Sequence, residues 1–272
     1  MNARSIQSRS HPLIRRARAL LRDPARRREE QAFVIEGPRL LADALAAGFQ
    51  VELVLASPKS LQDPALATLL GRLRALETPV VTAGSAVLEL AQDADAPRGL
   101  AAIARLPEAA ASRGAPDSCR ISLVAWQLQD PGNLGALMRV AEAAGGSEII
   151  CLEGGADPWH PRSIRASTGS IFRLGVRRAV ASPELIAGLR ASGLRILAAS
   201  ARGESEWTRA GLTPPFALLL GQEAAGLPAW AEDLADERVR IPLQGEVESL
   251  NVTVAAGVLL YEALRRVEAA GA

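Results

Sequence analysis

The sequence predicts a protein built of two α/β units, because short apolar runs alternate with helical patterns along most of its 272 residues. A stretch rich in Ala, Gly, Ser and Pro, at residues 107–119, interrupts this alternation and is typical of an interdomain linker. The chain is also long enough for two domains, each with its own packed core. We therefore expect domains at residues 1–107 and 119–272, joined by a linker at residues 108–118.

The first unit shows helix and strand patterns in turn. A helix is predicted at residues 12–22 and another at residues 39–47, which Gly48 would close. Strands are predicted at residues 32–36 and 51–56. Further helix and strand signals follow at residues 64–76, 80–82, 86–91 and 99–104.

The second unit alternates more regularly. Strands are predicted at residues 121–126, 148–152, 176–180, 195–200, 216–220 and 239–241. The best-marked helix has Ser182 as its N-cap, Pro183 at its first position and Gly193 beyond its end. This alternation predicts a mostly parallel sheet covered by helices on both faces.

The most informative segment, at residues 130–139, follows an apolar strand and predicts a Gly-bearing turn and a helix start. Asn133 is the predicted N-cap, and the apolar residues after it recur at helical spacing. Arg139 then lies on the opposite side of this helix. Ligands of α/β sheets bind where strands pass into helices, which makes Arg139 a candidate for chemistry. Taken alone, however, the segment is better explained by a solvated arginine.

Two later segments complete a pattern. Residues 216–227 predict a buried strand that breaks into a Gly-flanked turn with one carboxylate, and residues 241–255 predict a strand end, a polar loop and a last helix. In this order and spacing, the three segments resemble the motifs of the SpoU family of RNA ribose 2′-O-methyltransferases, the TrmH-like branch of the SPOUT superfamily. The resemblance covers roughly residues 120–268.

The resemblance implies a fold, a cofactor and an assembly. It implies a C-terminal sheet with trefoil-knotted topology, preceded by a small ribosomal-protein-like α/β domain, and a homodimer formed through the C-terminal domain. The small residues Gly135, Ala136 and Ala143, predicted to lie away from the apolar stripe, would let another chain approach. S-adenosylmethionine is the implied cofactor, and the positions that match its site are Gly221, Ile241, Leu243 and Leu250. Without the other motifs, these would be a turn glycine and core aliphatics.

The matched catalytic positions are Arg139, Asn133, Glu223, Ser249 and Asn251. The family often assigns its arginine as general base, but a guanidinium is almost never neutral near pH 7. Arg139 is better suited to bind the phosphate beside the target ribose and to stabilise the forming alkoxide. Asn133 and Ser249 are equally consistent with helix caps. Glu223 is predicted to orient Arg139 or a loop, or simply to lie near a helix N-terminus.

Charge is distributed unevenly although the formal net charge is only +1. Nine arginines precede residue 31 against three acids, and five arginines with no acid lie at residues 159–178. Basic stretches of this kind predict phosphate contacts, although a solvated face is the common alternative. The candidates for RNA contact are Arg15, Arg16, Arg18 and Arg162, together with Arg165 and Ser167, which match family positions. A separate N-terminal unit favours ribosomal over transfer RNA.

Several classes are disfavoured. Cys119, Cys151, His11 and His160 form no spaced ligand set, so we expect no metal. No apolar run is long enough to span a bilayer, and we expect a cytoplasmic protein with reduced thiols. A nicotinamide-dependent dehydrogenase is disfavoured because G-x-G-x-x-G is absent from the first turn of either unit. A transfer RNA methyltransferase and a non-catalytic RNA-binding relative remain as alternatives.

Overall fold

A computed structural model describes residues 5–93, 99–107, 120–223 and 225–271. The chain divides into two compact units: unit 1 comprises Met1–Glu108 with Trp159–Arg165, and unit 2 comprises Ala109–Pro158 with Ala166–Ala272. The predicted linker at residues 108–118 lies outside the described residues. The sequence did not predict that Trp159–Arg165 belongs with unit 1. Among the described helices, none is both long and apolar enough to cross a membrane.

Unit 1 contains a four-stranded mixed sheet in its described residues, in the order β1-β4-β2-β3. Strand β4 pairs antiparallel with β1 and β2, and β2 pairs in parallel with β3. The strands are β1 (Ala32–Glu36), β2 (Val51–Ala56), β3 (Val80–Thr82) and β4 (Leu100–Arg105). The helices are α1 (Pro12–Arg22), α2 (Pro24–Glu30), α3 (Pro38–Ala46), α4 (Pro58–Leu61), α5 (Ala67–Ala75) and α6 (Ser85–Leu88). These bounds confirm the predicted strands at residues 32–36 and 51–56 and the helix at residues 12–22.

Helix α1 packs one apolar face against the sheet of unit 1, with Ile14, Ala17, Leu20 and Leu21 buried. Its carboxyl end is held by Arg27, whose side chain is 1% exposed. Arg27 donates hydrogen bonds to the carbonyl oxygens of Leu20 (2.6 Å) and Leu21 (3.1 Å). A buried guanidinium is thereby used to cap carbonyls that the helix itself leaves without partners.

The segment Trp159–Arg165 of unit 1 is fixed by aromatic and ionic contacts. The Trp159 ring lies 4.6 Å from that of Phe33 and 6.0 Å from that of Phe49, measured between centroids. Arg165 pairs with Glu36 and Asp93, each at 3.0 Å. These contacts show why the segment joins unit 1 although it lies far along the chain from β1.

Unit 2 contains a seven-stranded sheet in its described residues, in the order β7-β6-β5-β10-β8-β11-β9. Every neighbouring pair is parallel, in agreement with the prediction of a mostly parallel sheet. The central strands are buried along their whole length because helices cover them. The strands are β5 (Ile121–Ala125), β6 (Glu148–Leu152), β7 (Gly175–Ala179), β8 (Arg195–Ala199), β9 (Ser205–Glu206), β10 (Phe216–Leu220) and β11 (Glu237–Arg240).

The helices of the second half are α7 (Pro131–Ala143), α8 (Pro161–Ser167), α9 (Pro183–Ala191), α10 (Ala229–Asp233) and α11 (Val252–Gly271). The predicted capping of α9 is confirmed, since the Ser182 hydroxyl accepts a hydrogen bond from the Leu185 amide at 3.3 Å. Helices α7 and α11 pack on each other, and a methyl group added at Gly257 would meet Val140. Gly135 is buried, so the prediction that it faces away from the core is wrong.

Near the middle of helix α11, Glu262 pairs with Arg265 and Arg266 at 2.7 Å each. Arg266 also donates to the carbonyl oxygens of Thr208 (2.9 Å) and Ala210. Hydrogen bonds first from Arg265 and then from Arg266 lower the pKa of Glu262 from 4.5 to about 2. Because this pKa is depressed in the folded state, the stabilisation is complete above pH 4.5 and is lost as pH falls towards 2.

We therefore expect Glu262→Gln to lower the urea midpoint of unfolding near neutral pH, and the difference from wild type to shrink at about pH 3. Glu268→Gln is the matched control, since Glu268 lies exposed on the same helix. Equal destabilisation at both pH values would contradict an ionic origin. A large effect of Glu268→Gln would show that the whole helix end is sensitive to charge.

Candidate active site

The three motifs meet at one edge of the unit 2 sheet. Strands β5, β10 and β11 belong to one parallel sheet, and the motif loops follow their carboxyl ends. The carboxyl edge of a parallel sheet is where such folds bind ligands. The sheet order therefore brings together segments that are far apart in the sequence.

Helix α7 begins differently from the prediction. Its N-cap is Asp130, whose carboxylate accepts a hydrogen bond from the Asn133 amide at 2.9 Å, and Pro131 occupies the first helical position. The prediction that Asn133 is the cap is therefore wrong. A carboxylate followed by proline is a strong helix start, so Asp130 takes the capping role and the Asn133 side chain bonds elsewhere.

The Asn133 side chain joins the three motifs. Its Nδ2 donates to Glu223 Oε1 at 3.0 Å, and its Oδ1 accepts from Asn251 Nδ2 at 3.1 Å. Asn251 also caps α11, because its Oδ1 accepts from the Thr253 amide at 2.9 Å. Ser249 is exposed and has no hydrogen-bond partner within the described residues, so the structure does not bring it into this network.

Two further residues of this network were missed from the sequence. Gln129 donates through Nε2 to the carbonyl oxygens of Gln127 (2.8 Å) and Gly154 (3.0 Å), and its amide lies 3.5 Å from Glu223 Oε2. The Thr253 hydroxyl donates to the Asn133 carbonyl oxygen at 3.3 Å. Gln129 directly precedes the segment at residues 130–139, and Thr253 lies within the segment at residues 241–255, which was the available signal. They hold the loops in place and do not themselves carry a reactive group.

Arg139 is exposed on α7 and makes no ion pair or hydrogen bond within the described part of the chain. Glu223 contacts Gln129 and Asn133, and thus fixes a loop and not the guanidinium of Arg139. Glu142, three residues further along α7, pairs with Arg173 instead. The Arg139 guanidinium, more than one helix turn beyond the network, is therefore available to an external anion.

Gly221 begins the turn after β10 and cannot be replaced without displacing backbone. A Cβ at this position would lie 2.4 Å from the Gly226 carbonyl carbon and 2.6 Å from the Leu227 nitrogen. Gln222 and Gly226 exchange backbone hydrogen bonds of 3.1 and 2.9 Å, which close the turn. Glycine is therefore required at this position by the chain's own backbone.

The loop after β11 has the properties of a ligand-binding segment. Ile241, Leu243 and Leu250 are half-buried, while residues 244–249 are exposed. Within the described residues, the backbone of residues 241–250 makes no hydrogen bond to the rest of the chain. Main-chain donors and acceptors beside half-buried aliphatic side chains fit a ligand with an apolar ring and polar edges, such as an adenine nucleoside.

The predicted RNA-contacting residues differ in how far the structure leaves them available to RNA. Arg15, Arg18 and Arg162 lie at least partly exposed. Arg16 is committed to ion pairs with Glu30 (2.6 Å) and Glu52 (2.8 Å). Burial lowers the pKa of Arg16, but the hydrogen bonds to the two glutamates together outweigh it and raise the pKa. Arg165 is paired in unit 1, and Ser167 is completely buried, which does not support its predicted contact with RNA.

Comparison with known proteins agrees with this geometry. Residues 120–261 match the SpoU rRNA Methylase family, and residues 11–102 match an MRM3-like substrate binding domain. The 23S rRNA (guanosine(2553)-2'-O)-methyltransferase RlmP of Bacillus subtilis is 31% identical over 86% of this chain and 89% of its own length.

Two crystal structures extend the likeness over both units. An AdoMet-bound rRNA methyltransferase from Sinorhizobium meliloti has a TM-score of 0.86 and 28% identity, covering 96% of this chain and 97% of that one. The SpoU methyltransferase AviRb from Streptomyces viridochromogenes, in complex with AdoMet, has a TM-score of 0.85 and 27% identity, covering 94% and 98%. With the family match across unit 2 and a relative similar over most of its length, the chain belongs to the SpoU rRNA methylase family.

Proposed function

We propose that this protein transfers a methyl group from S-adenosylmethionine to a ribose 2′-hydroxyl of ribosomal RNA. The observation that carries the proposal is the hydrogen-bonded network of Asn133, Glu223 and Asn251, which unites the three family motifs at the carboxyl edge of the sheet. The names of similar proteins point the same way, since RlmP is a 23S rRNA 2'-O-methyltransferase and the AviRb structure contains AdoMet.

The residues that we propose to bind the cofactor lie in the turn after β10 and the loop after β11. When bound, S-adenosylmethionine supplies an electrophilic methyl group on a sulfonium centre. Gly221 keeps the turn after β10 tight, and the loop after β11 offers unbonded main-chain groups to the adenosine. Ile241, Leu243 and Leu250 offer apolar contacts to its base.

The remaining residues act on the RNA. Arg139 binds the phosphate next to the target ribose and stabilises negative charge that develops on the 2′-oxygen. Asn133 and Asn251 hold the starts of α7 and α11 together at the carboxyl edge of the sheet through their mutual hydrogen bond. Ser249, exposed in the loop before α11, would hydrogen-bond a ribose hydroxyl of the incoming RNA.

Ribosomal RNA is favoured over transfer RNA, because unit 1 matches a substrate binding domain and the full-length relative RlmP is named for 23S rRNA. The enzyme would then act in the cytoplasm. A homodimer is proposed on two exposed apolar residues of α11, Val254 and Tyr261, each 53% exposed. The family likeness also supports a trefoil-knotted unit 2 and a ribosomal-protein-like unit 1.

The proposal is tested with the full chain. S-adenosylmethionine should raise the melting temperature, whereas NAD should not, because only a bound ligand stabilises the folded state. Nucleoside analysis of ribosomal RNA incubated with the enzyme and cofactor should then reveal a 2′-O-methylated nucleoside. Stabilisation by S-adenosylmethionine without any methylated RNA would favour a non-catalytic relative, and methylation of transfer RNA alone would overturn the choice of substrate.

A further inference from the structure

The structure sorts the arginines at the start of the chain into two groups. Arg16, Arg26 and Arg27 serve the fold: Arg16 and Arg26 pair with glutamates, and Arg27 caps α1. A second group makes no ion pair with any described residue, and its members are Arg9, Arg15, Arg18, Arg22 and Arg28. Sequence alone could not separate these groups.

Three members of the second group form a row on α1, which we call the arginine row: Arg15, Arg18 and Arg22. Their spacing of three and four residues places them on one side of the helix, beside the buried face. At a rise of 1.5 Å per residue, the row extends along about 10 Å of rigid helix.

The arginine row costs the isolated fold some stability. Like charges three or four residues apart on a helix repel each other. Arg15 also lies near the amino end of α1, where a positive charge opposes the helix dipole and no acidic residue offsets it. Arg22, in the last turn, is favoured by the dipole, but the unfavourable position of Arg15 and the repulsion within the row have no compensating partner on α1. An anionic partner would compensate both.

The aromatic residues of unit 1 decide what kind of nucleic acid fits. The sequence gives this unit only Phe33, Phe49 and Trp159, and all three pack against each other with centroids 4.6–6.1 Å apart. Single-stranded RNA is usually bound by stacking its bases on exposed aromatic side chains. Unit 1 therefore offers charges for phosphates and no aromatic platform for bases.

We propose that the arginine row binds the phosphates along one side of an RNA duplex, without reading its sequence. A rigid row of guanidiniums matches the regular phosphate array of a duplex, whereas a flexible single strand would lose conformational entropy in following it. The proposal rests on the function proposed above, since it names the RNA structure that unit 1 would recognise beside the methylated nucleotide.

The test is equilibrium binding of the full chain, without cofactor, to a labelled RNA duplex and to one of its strands alone, over a range of salt concentrations. Wild type should prefer the duplex. In the variant Arg15→Gln/Arg18→Gln/Arg22→Gln, the slope of log affinity against log salt for the duplex should fall by about 0.9 per lost phosphate contact, or about 2.7 in total. Binding to the single strand should change much less.

A matched control removes three other exposed, unpaired cations of unit 1: Arg39→Gln/Lys59→Gln/Arg74→Gln. If this control lost as much affinity for the duplex as the variant of the arginine row, only the overall charge would matter and the proposal would be overturned. The proposal would also be overturned if the triple variant of the arginine row lost equal affinity for the duplex and the single strand. An unchanged salt slope for the duplex would overturn it as well. If the triple variant unfolds, single replacements of Arg15 and Arg22 carry the test, each with a slope change of about 0.9. An enzyme that binds duplex through the row but methylates no RNA would refute the proposed function alone.

Discussion

Replacing Arg139 by alanine should lower the rate of methyl transfer by about 100-fold or more, the scale seen when a preorganised charge-stabilising donor is removed. Affinity for S-adenosylmethionine and the melting temperature should remain nearly unchanged. The reason is structural: Arg139 is exposed on α7 and bonds to no other described residue, so the fold does not depend on it. Single-turnover transfer to RNA, calorimetry with the cofactor and thermal unfolding measure the three quantities.

The variant Arg139→Lys separates two roles. Lysine keeps the positive charge but loses the planar fork of donors, so substantial rescue would indicate phosphate attraction, and no rescue would indicate bidentate geometry or proton abstraction. Arg209→Ala is the control, because Arg209 is likewise exposed in unit 2 and unpaired among the described residues. Wild-type transfer by Arg139→Ala would mean that this arginine is only a solvated helix residue.

Gly221→Ala should weaken S-adenosylmethionine binding and lower the stability of unit 2. The added methyl group would lie 2.4 Å from the Gly226 carbonyl carbon, and backbone cannot rotate away as a flexible side chain can. Overpacking of this kind typically costs about 1–3 kcal/mol. If that strain is relieved by opening the turn, cofactor affinity should fall by about one to two orders of magnitude.

Calorimetry and urea unfolding check this prediction together. Gly188→Ala is the matched control, because a methyl group there meets nothing within 4 Å and lies within α9. That control should leave cofactor binding unchanged. A stable Gly221→Ala protein with wild-type cofactor affinity would show that the turn after β10 does not form part of the cofactor site.

The local elements could be predicted because their signals are local. The buried run Phe216–Leu220 was recognisable as a strand from its apolar residues and flanking turns, and Ser182 and Pro183 marked the start of α9 through hydrogen bonding and a fixed φ. The three motifs could be identified for a similar reason, since each is short and lies at the end of one strand. Family membership followed from their order.

Local signals could not predict that the segment Trp159–Arg165 belongs to unit 1. Nothing in its neighbours along the chain indicates that Trp159 packs on Phe33 or that Arg165 pairs with Glu36. A fragment that begins near residue 116 would lack both partners, so cutting the chain at the predicted linker does not reproduce either unit.

The sequence by itself determined most of the longer strands and helices, the three motifs and, through the motifs, the family, but not short elements such as β9 (Ser205–Glu206) and α10 (Ala229–Asp233). Only the tertiary structure decided that β10 lies between β5 and β8, and that Asn133 bonds Glu223 and Asn251 instead of capping α7. It also decided that Arg16 forms ion pairs with glutamates while Arg15 forms none with a described residue. The physical reason is the range of the interactions. Helix and strand preferences act over a few residues, whereas the partner of a polar side chain is set by whichever distant segments packing brings within about 3 Å.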